Sequence, residues 1–133
     1  MGIGTTHESA LHRELKHMFS AYTGKTEIDI DGFVCDGSKD DGTVFEVQLG
    51  SFGPLKRKAE IICEKRRLVI LHPVIHTKEI YTFDEHQNLM SRRKSPRKGS
   101  EWDVFKALIY APRLPLIKNI SIELVHVDIT ETR

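Results

Sequence analysis

Hydrophobic and polar residues alternate along the first half of the chain in patterns that predict a helix followed by strands. Residues 5–24 carry apolar side chains at helical spacing, which predicts an amphipathic helix that stops near Gly24. In residues 25–37 the alternation predicts either one bent strand or two short strands, with Gly32 at the bend. A further strand is predicted at 43–50, because Asp41-Gly42 before it is a strong hairpin signal.

The second half of the chain predicts a helix, a buried strand and three added elements. Residues 54–65 start with a proline, which suits the first position of a helix. The near-continuous apolar run at 67–75 predicts a strand buried on both faces, which we expect to end at Pro73. A hairpin around 84–88, a polar loop at 95–100, a helix at 101–111 and a strand at 119–133 complete the series. The helix at 101–111 is expected to begin at Ser100 and to bury three large side chains, namely Trp102, Phe105 and Ile109.

Composition places the whole chain, 1–133, in one domain with one core, because 133 residues with 39% hydrophobic and 29% charged residues are ordinary for a globular protein. Two cysteines are too few for a disulfide framework, so we expect buried reduced thiols. The N-terminal residues contain no long apolar segment after positive charge, and we therefore expect no secretory signal, no membrane span and a cytoplasmic location.

Charge is distributed unevenly, although the net charge is only +1. Residues 25–46 hold seven acidic and two basic side chains, whereas 51–67 hold six basic and two acidic ones. A third stretch, 91–98, holds five basic residues and no acidic residue. Such separation creates local fields that the net charge conceals.

Two carboxylates, Asp36 and Glu46, stand on strands that the hairpin signal makes neighbours. Their neighbours in the chain are apolar, and a carboxylate in such surroundings is costly unless something compensates its charge. A bound Mg²⁺ would do so, since this ion takes oxygen ligands from one or two carboxylates. The alternative is that Glu46 pairs with a nearby lysine or lies on a solvated face of the sheet.

The stretch DGFVCDGSKDDGTVFEVQLGS resembles the core of the PD-(D/E)XK phosphodiesterases, the restriction-endonuclease-like superfamily, and in it a prokaryotic group with a Glu-x-Gln variant of the motif. The resemblance covers roughly residues 6–75. It implies an α/β fold with a restriction-endonuclease-like core: a helix, an antiparallel three-strand meander, a helix and a fourth strand. An added hairpin, a helix and a C-terminal strand would follow.

The resemblance also implies a metal site for Mg²⁺ or Mn²⁺. Asp36 and Glu46 match the metal-binding carboxylates of the family, and the backbone carbonyl of Val47 would be a further ligand. Members of the family often place a glutamate on the first helix, where Glu8 stands in this chain. The alternative role of Glu8 is a capping box with Thr5.

One position departs from the family pattern, because Gln48 stands where lysine is usual. Glutamine cannot accept a proton or supply positive charge, but it could hold an attacking water by hydrogen bonding. The missing charge would come from Lys56 or Lys58, since the family moves this lysine between elements.

Two basic clusters are candidates for nucleic-acid binding. Ser51 and Arg57 lie near the start of the helix at 54–65, where an anion is favoured. The second cluster is predicted to be a loop, and its members are Arg92, Arg93, Lys94, Arg97 and Lys98. The alternative for both clusters is a solvated surface. Trp102 and Tyr81 could stack on bases, although core packing is the expected role of Trp102.

These features predict a metal-dependent DNA endonuclease that uses a metal-activated water, with nucleic acid as its partner, no membrane association and a homodimer that cuts both strands. The alternative is a catalytically inactive module of the same fold that binds nucleic acid or a protein. If the fold were different, the basic segments would instead favour an RNA-associated role.

Overall fold

The computed structural model describes residues 13–17, 25–96 and 98–133, and it is a mixed α/β structure. Residues 13–17 are helical and form α1. The other helices are α2 (Lys56–Ile62) and α3 (Asp103–Ala107), with short 3-10 helices at Gly53–Leu55 and Leu114–Leu116. The strands are β1 (Lys25–Ile30), β2 (Phe33–Ser38), β3 (Val44–Val47), β4 (Leu68–Phe83), β5 (Leu89–Lys94) and β6 (Ile120–Thr132).

These six strands form one mixed sheet. β1, β2 and β3 pair antiparallel in chain order, and α2 then leads to β4, which pairs parallel with β3. β6 runs parallel to β4 along its other edge, from Leu68↔Ile120 to Tyr81↔Thr132. β5 pairs antiparallel with the far end of β4, so the hairpin predicted around 84–88 is confirmed.

Tight turns at glycine connect the first three strands. Asp31 and Gly32 have φ values of 52° and 87°, so Gly32 separates two short strands rather than bending one. Gly42 has φ of 91° and donates its N–H to the carbonyl of Lys39, as the Asp41-Gly42 signal predicts. Both turns return the chain within a few residues, which places β2 between β1 and β3.

The sheet separates two apolar clusters, because successive residues of a strand point to opposite faces. One cluster contains Leu68 and Ile70 of β4 with Ala59 and Ile62 of α2. The second contains Val69 and Leu71 of β4, with Leu15 of α1 and Val47 of β3. The two described helices α1 and α2 therefore cover opposite faces of the same sheet.

The predicted end of β4 at Pro73 is wrong, because the strand continues through the proline to Phe83. Proline lacks a backbone N–H and is tolerated in a strand where that group faces no partner. The β3 ladder ends at Leu71, and β5 begins to pair only at Glu79, so one edge of β4 has no neighbouring strand around Pro73. The apolar run and the first strand of the hairpin are therefore parts of one long strand, β4.

The predicted inward face of the helix at 101–111 is also wrong. Trp102, Phe105 and Ile109 are 74%, 59% and 63% exposed, and smaller side chains of the segment, such as Ala107 and Ala111, are buried instead. Ser100 does act at the start of the helix, since its Oγ accepts the Trp102 N–H (3.2 Å) and its own N–H binds Asp103 (2.9 Å).

The uncovered edge of β4 is filled by the segment that follows β5. The N–H groups of Ser95 and Gly99 donate to the carbonyls of Lys78 (2.8 Å) and Ile75 (2.7 Å). A Cβ on Gly99 would lie 2.8 Å from the Ile75 nitrogen and 2.9 Å from its oxygen, closer than such atoms can approach. Only glycine fits this approach without moving backbone.

We expect Gly99→Ala to destabilise the protein by about 1–3 kcal/mol, because the added methyl must displace the backbone of β4. Gly50→Ala is the matched control, since a Cβ there meets nothing within 4 Å. Urea unfolding monitored by circular dichroism measures both changes. Equal midpoints for the two variants would contradict the close packing of Gly99 on β4.

No helix among the described residues is both long enough and apolar enough to cross a bilayer.

Candidate metal and phosphate site

The carboxylates of Asp36 and Glu46 meet where β2 and β3 separate. The last ladder pair on this side is Gly37↔Phe45. Beyond it, the Asp36 N–H donates to Oε1 of Glu46 (3.2 Å), and the Val47 N–H donates to Oδ2 of Asp36 (2.8 Å). Each carboxylate thus binds the backbone of the strand that carries the other.

Glu46 is buried and paired with the lysine that follows on α2. Its side chain is 7% exposed, and Nζ of Lys58 lies 3.0 Å from Oε1. The same Nζ donates to the carbonyl of Val34 (2.9 Å), which fixes the ammonium between β2 and β3. Burial first, and the charge of Asp36 second, raise the pKa of Glu46, while Lys58 opposes this rise.

The surroundings of Glu46 are apolar enough to keep a neighbouring thiol neutral. Cys35 is fully buried, and burial foremost, followed by the charge of Glu46, raises its pKa to about 12. A thiol in this state is a poor nucleophile, because the thiolate is the reactive form. The chemistry of the site therefore belongs to the carboxylates and lysines rather than to Cys35.

Asp36 has a lysine partner that sequence reasoning missed. Nζ of Lys16 lies 3.3 Å from Oδ1 of Asp36 and 2.8 Å from Oε1 of Glu27. Lys16 follows Leu15, which is buried against the sheet, so its position beside the buried stripe of α1 was the available signal. Its partner could not be deduced, because helical spacing does not show which strand a helix crosses.

The two lysines reach the carboxylates from opposite faces of the sheet. Lys16 comes from α1, which packs on the Val69 and Leu71 face. Lys58 comes from α2, which packs on the Leu68 and Ile70 face. The gap between β2 and β3 is therefore charged on both sides: two carboxylates lie within it, and one ammonium approaches each.

Gln48 is engaged in the turn that follows β3. The side-chain Nε2 of Gln48 donates to the Ser51 carbonyl (2.8 Å), and the backbone carbonyl oxygen of Gln48 lies 2.7 Å from Nδ1 of His72. The Ser51 hydroxyl accepts the Gly53 N–H (3.1 Å). Local hydrogen bonds thus fix Gln48 and Ser51 in the turn that follows Glu46 in the chain.

The basic residues of α2 divide into one that contacts the carboxylates and two that lie elsewhere. Lys58 binds Glu46, whereas Lys56 and Arg57 are exposed. Lys56 lines a cavity of about 330 Å³ together with Glu60, Arg113 and apolar residues of the 111–117 segment. The sequence did not show which of Lys56 and Lys58 contacts the carboxylates. The rotation of α2 about its axis brings Lys58 to Glu46 and leaves Lys56 exposed.

The second basic cluster differs from its prediction. Arg92, Arg93 and Lys94 lie on strand β5 rather than in a loop, because they pair with β4. Arg92 binds Glu79 (3.1 Å) and lies over the ring of Tyr81. Lys98 is exposed in the following segment.

This cluster is distant from the carboxylates. Glu46 pairs with Ile70 of β4, and Arg92 binds Glu79, nine residues further along the same strand. Nine residues of extended chain span roughly 30 Å. The predictions for Glu8 and Arg97 fall outside the described residues.

The oxygen donors of Asp36 and Glu46 are of the type that hard divalent cations use. Within residues 13–17, 25–96 and 98–133, no group of three or more His, Cys, Asp or Glu side chains is arranged to hold a metal. One or two carboxylates are nevertheless the protein ligands that Mg²⁺ uses when water and phosphate complete its shell, and Asp36 and Glu46 each hydrogen-bond to the strand that carries the other. The Val47 peptide borders them, since its N–H binds Asp36. A cation would also relieve the repulsion between Asp36 and Glu46, which raises the pKa of Glu46.

Comparisons with known proteins place the chain among proteins whose activity is not established. The sequence profile of a family described as "Domain of unknown function (DUF8091)" matches residues 9–133. The chain is 29% identical over 127 residues to a protein of Treponema pallidum (strain Nichols) described as "Uncharacterized protein". The alignment covers 96% of this chain and 51% of that relative, so the chain spans about half of the relative's length. No solved structure matches the chain.

Proposed function

This chain belongs to the DUF8091 family, and we propose that it is a cytoplasmic, Mg²⁺-dependent phosphodiesterase that hydrolyses DNA. The observation that carries the proposal is the reciprocal hydrogen bonding of Asp36 and Glu46 between separated strands, with Lys58 at 3.0 Å. The element order supports it as well. A helix, three antiparallel strands, a helix and a parallel fourth strand are the arrangement that the resemblance to restriction-endonuclease-like enzymes implies.

Asp36, Glu46 and the Val47 carbonyl would hold the ion. When bound, Mg²⁺ supplies the Lewis acidity that hydrolysis of a phosphodiester at neutral pH requires. The buried position of Glu46 strengthens its interaction with a cation, because the local dielectric is low.

Lys58 would meet the phosphate. Its ammonium is already fixed beside Glu46 by the Val34 carbonyl, so it can face a phosphate oxygen with little reorganisation. Lys56 is exposed and lines the cavity with Arg113, which suits a neighbouring phosphate rather than the scissile one. Gln48 would orient the attacking water through Oε1, because its Nε2 is held by Ser51.

The test is metal-dependent cleavage of defined DNA substrates. Supercoiled, linear, branched and single-stranded DNA are incubated with the protein in Mn²⁺ or in EDTA. We expect cleavage of at least one substrate in Mn²⁺, none in EDTA, and none with Asp36→Asn in either. Asp40→Asn is the matched control, since Asp40 is exposed in the β2–β3 turn and carries the same charge. It should cleave at the wild-type rate.

A second candidate is an inactive module of the same fold that binds nucleic acid or a protein. The observation that favours it is that Lys16 and Lys58 already lie within 3.3 Å and 3.0 Å of the two carboxylates, which neutralises them without a metal. Absence of Mn²⁺-dependent cleavage on every substrate, with DNA binding that is unchanged by EDTA, would select this candidate. A homodimer, in which two sites serve two strands, is part of the first proposal only.

A further inference from the structure

An exposed aromatic surface lies on the segment that contains α3. It consists of Trp102, Phe105, Ile109 and Tyr110, each between 59% and 74% exposed. The rings of Trp102 and Phe105 are stacked, with centroids 5.7 Å apart and planes inclined by 27°. Contiguous apolar side chains on a protein surface mark a binding site more often than scattered ones do.

The aromatic surface is exposed on a segment that is otherwise anchored. The Phe52 N–H donates to the Ala107 carbonyl (2.8 Å), and Ala107, Ala111 and Leu114 are buried in the cluster on the α2 face. The large rings are therefore exposed on a fixed support, because the alanine and aliphatic residues of the segment make its contacts with the core.

This surface adjoins the carboxylate site through one short loop. A Cβ added to Gly53 would lie 3.2 Å from Cβ of Tyr110. Gly53 binds the Ser51 hydroxyl, and the Ser51 carbonyl binds Gln48, two residues after Glu46. The loop at 48–53 thus has the carboxylates at one end and Tyr110 at the other.

The segment around the aromatic surface has a positive balance. Residues 98–118 contain four basic and two acidic side chains. Both acidic side chains are engaged, and so is one lysine: Asp103 accepts the Ser100 N–H and lies 3.9 Å from Nζ of Lys106, and Glu101 lies 3.2 Å from His126. Arg113 and Lys56, together with one acidic residue, Glu60, line the cavity between this segment and α2. Exposed rings on a segment of net positive charge fit a polyanion that carries planar groups.

We propose that the aromatic surface binds unpaired bases of single-stranded DNA next to the phosphate held at Asp36 and Glu46. The inference rests on the proposed function and specifies its substrate. Exposed rings stack on bases of any sequence, because every base has a π-face. In a duplex these faces are covered by neighbouring base pairs, so the surface selects single-stranded segments.

The chain contains one tryptophan, so Trp102 is a built-in reporter. Oligo-dT is titrated into the protein in EDTA, which separates binding from cleavage. We expect quenching of Trp102 fluorescence by oligo-dT and none by a duplex of equal length. Asp40→Asn should bind oligo-dT as well as the wild type does, since Asp40 is exposed in the β2–β3 turn and the aromatic surface is intact.

Variants locate the contact. Phe105→Ala and Trp102→Ala are each expected to weaken binding of fluorescently labelled oligo-dT by roughly 5- to 150-fold, measured by anisotropy, because one stacking contact is removed. Met90→Ala is the matched control, as Met90 is 66% exposed on β5. It should bind like the wild type. Thermal melting establishes that all three variants are folded.

Several outcomes would overturn this inference. They are equal affinity for duplex DNA, binding of oligo-U without binding of oligo-dT, equal effects of Phe105→Ala and Met90→Ala, or absence of quenching. None of them bears on cleavage, which is scored separately in Mn²⁺. Conversely, absence of cleavage together with Trp102 quenching would remove the proposed activity and leave the single-strand binding surface in place.

Discussion

Replacing Glu46 with Gln is expected to lower Mn²⁺-dependent DNA cleavage by a factor on the order of 10³ or more, comparable with the loss of a main electrostatic contact in other active sites. The same variant should lose metal stabilisation. A cation that binds only the folded protein at 100 times its Kd adds about 2.7 kcal/mol, which is roughly 5–10 °C in Tm for a chain of this length. Melting curves with and without Mn²⁺ measure this effect directly.

The pH dependence of stability gives an independent measure of the same residue. The pKa of Glu46 is raised in the folded protein, so the native state holds the proton more tightly than the unfolded chain does. The wild type therefore loses stability as pH rises from the usual glutamate range through the raised folded pKa. Glu46→Gln has no carboxyl group that can titrate, so its free energy of unfolding relative to that of the wild type should increase over that pH interval. Urea unfolding in the presence of EDTA measures this difference.

Glu79→Gln is a control of opposite sign. Hydrogen bonds from Arg92 and then from Tyr81 lower the pKa of Glu79, so its contribution is present above the usual glutamate pKa and is lost as pH falls through the lowered value. The difference in stability between wild type and Glu79→Gln should therefore shrink toward acid pH.

Equal Mn²⁺ stabilisation of the wild type and Glu46→Gln would rule out Glu46 as a metal ligand.

Replacing Lys58 with Met is the second large expected effect. Cleavage should fall by about 10²-fold or more, because the variant removes a positioned cation from the phosphate. It also leaves Glu46 without its ammonium partner in a site that is 7% exposed, which should cost about 1–3 kcal/mol in EDTA. The pKa of Glu46 should rise further, since Lys58 is the charge that lowers it.

Lys56→Met provides the comparison, because Lys56 lies on the same helix but is exposed beside the cavity. Its effect on stability should be small, within about 0.5 kcal/mol, and its effect on cleavage should be limited to weaker substrate binding. Steady-state kinetics separate the two: Lys58→Met lowers kcat, whereas Lys56→Met raises KM. If Lys56→Met lowered kcat and Lys58→Met left kcat unchanged, Lys56 rather than Lys58 would be the lysine that contacts the scissile phosphate.

The meeting of Asp36 and Glu46 could be predicted from sequence because it depends on a short hairpin. Ten residues separate them, and the Asp41-Gly42 turn forces the strands that carry them to be neighbours. Lys16 and the choice of Lys58 over Lys56 could not be predicted. Both depend on how a helix is rotated and placed over the sheet, which apolar spacing fixes only to within an arc of the helix surface.

The helix at 101–111 shows where periodicity misleads. Two sets of apolar residues have helical spacing there. One set is large (Trp102, Phe105 and Ile109) and the other contains Ala107 and Ala111, and the larger apolar area of the first set predicted its burial. The backbone hydrogen bond from Phe52 to Ala107 brings the segment close to the core, where alanine fits and tryptophan does not. The predicted end of β4 failed for a local reason as well. Proline has no backbone N–H, so Pro73 would end the strand only if a neighbouring strand required a donor at that position.

The segment from Ser95 to Gly99 has a consequence for how copies of the protein can associate. By binding Lys78 and Ile75 it closes the stretch of β4 that no strand covers, and an open edge of this kind would recruit strands from other molecules. Among the described strands, intermolecular strand addition is thereby left to the outer edges of β1, β5 and β6. The part of the β4 edge that lies between β3 and β5 is shielded from such self-assembly by the molecule's own backbone.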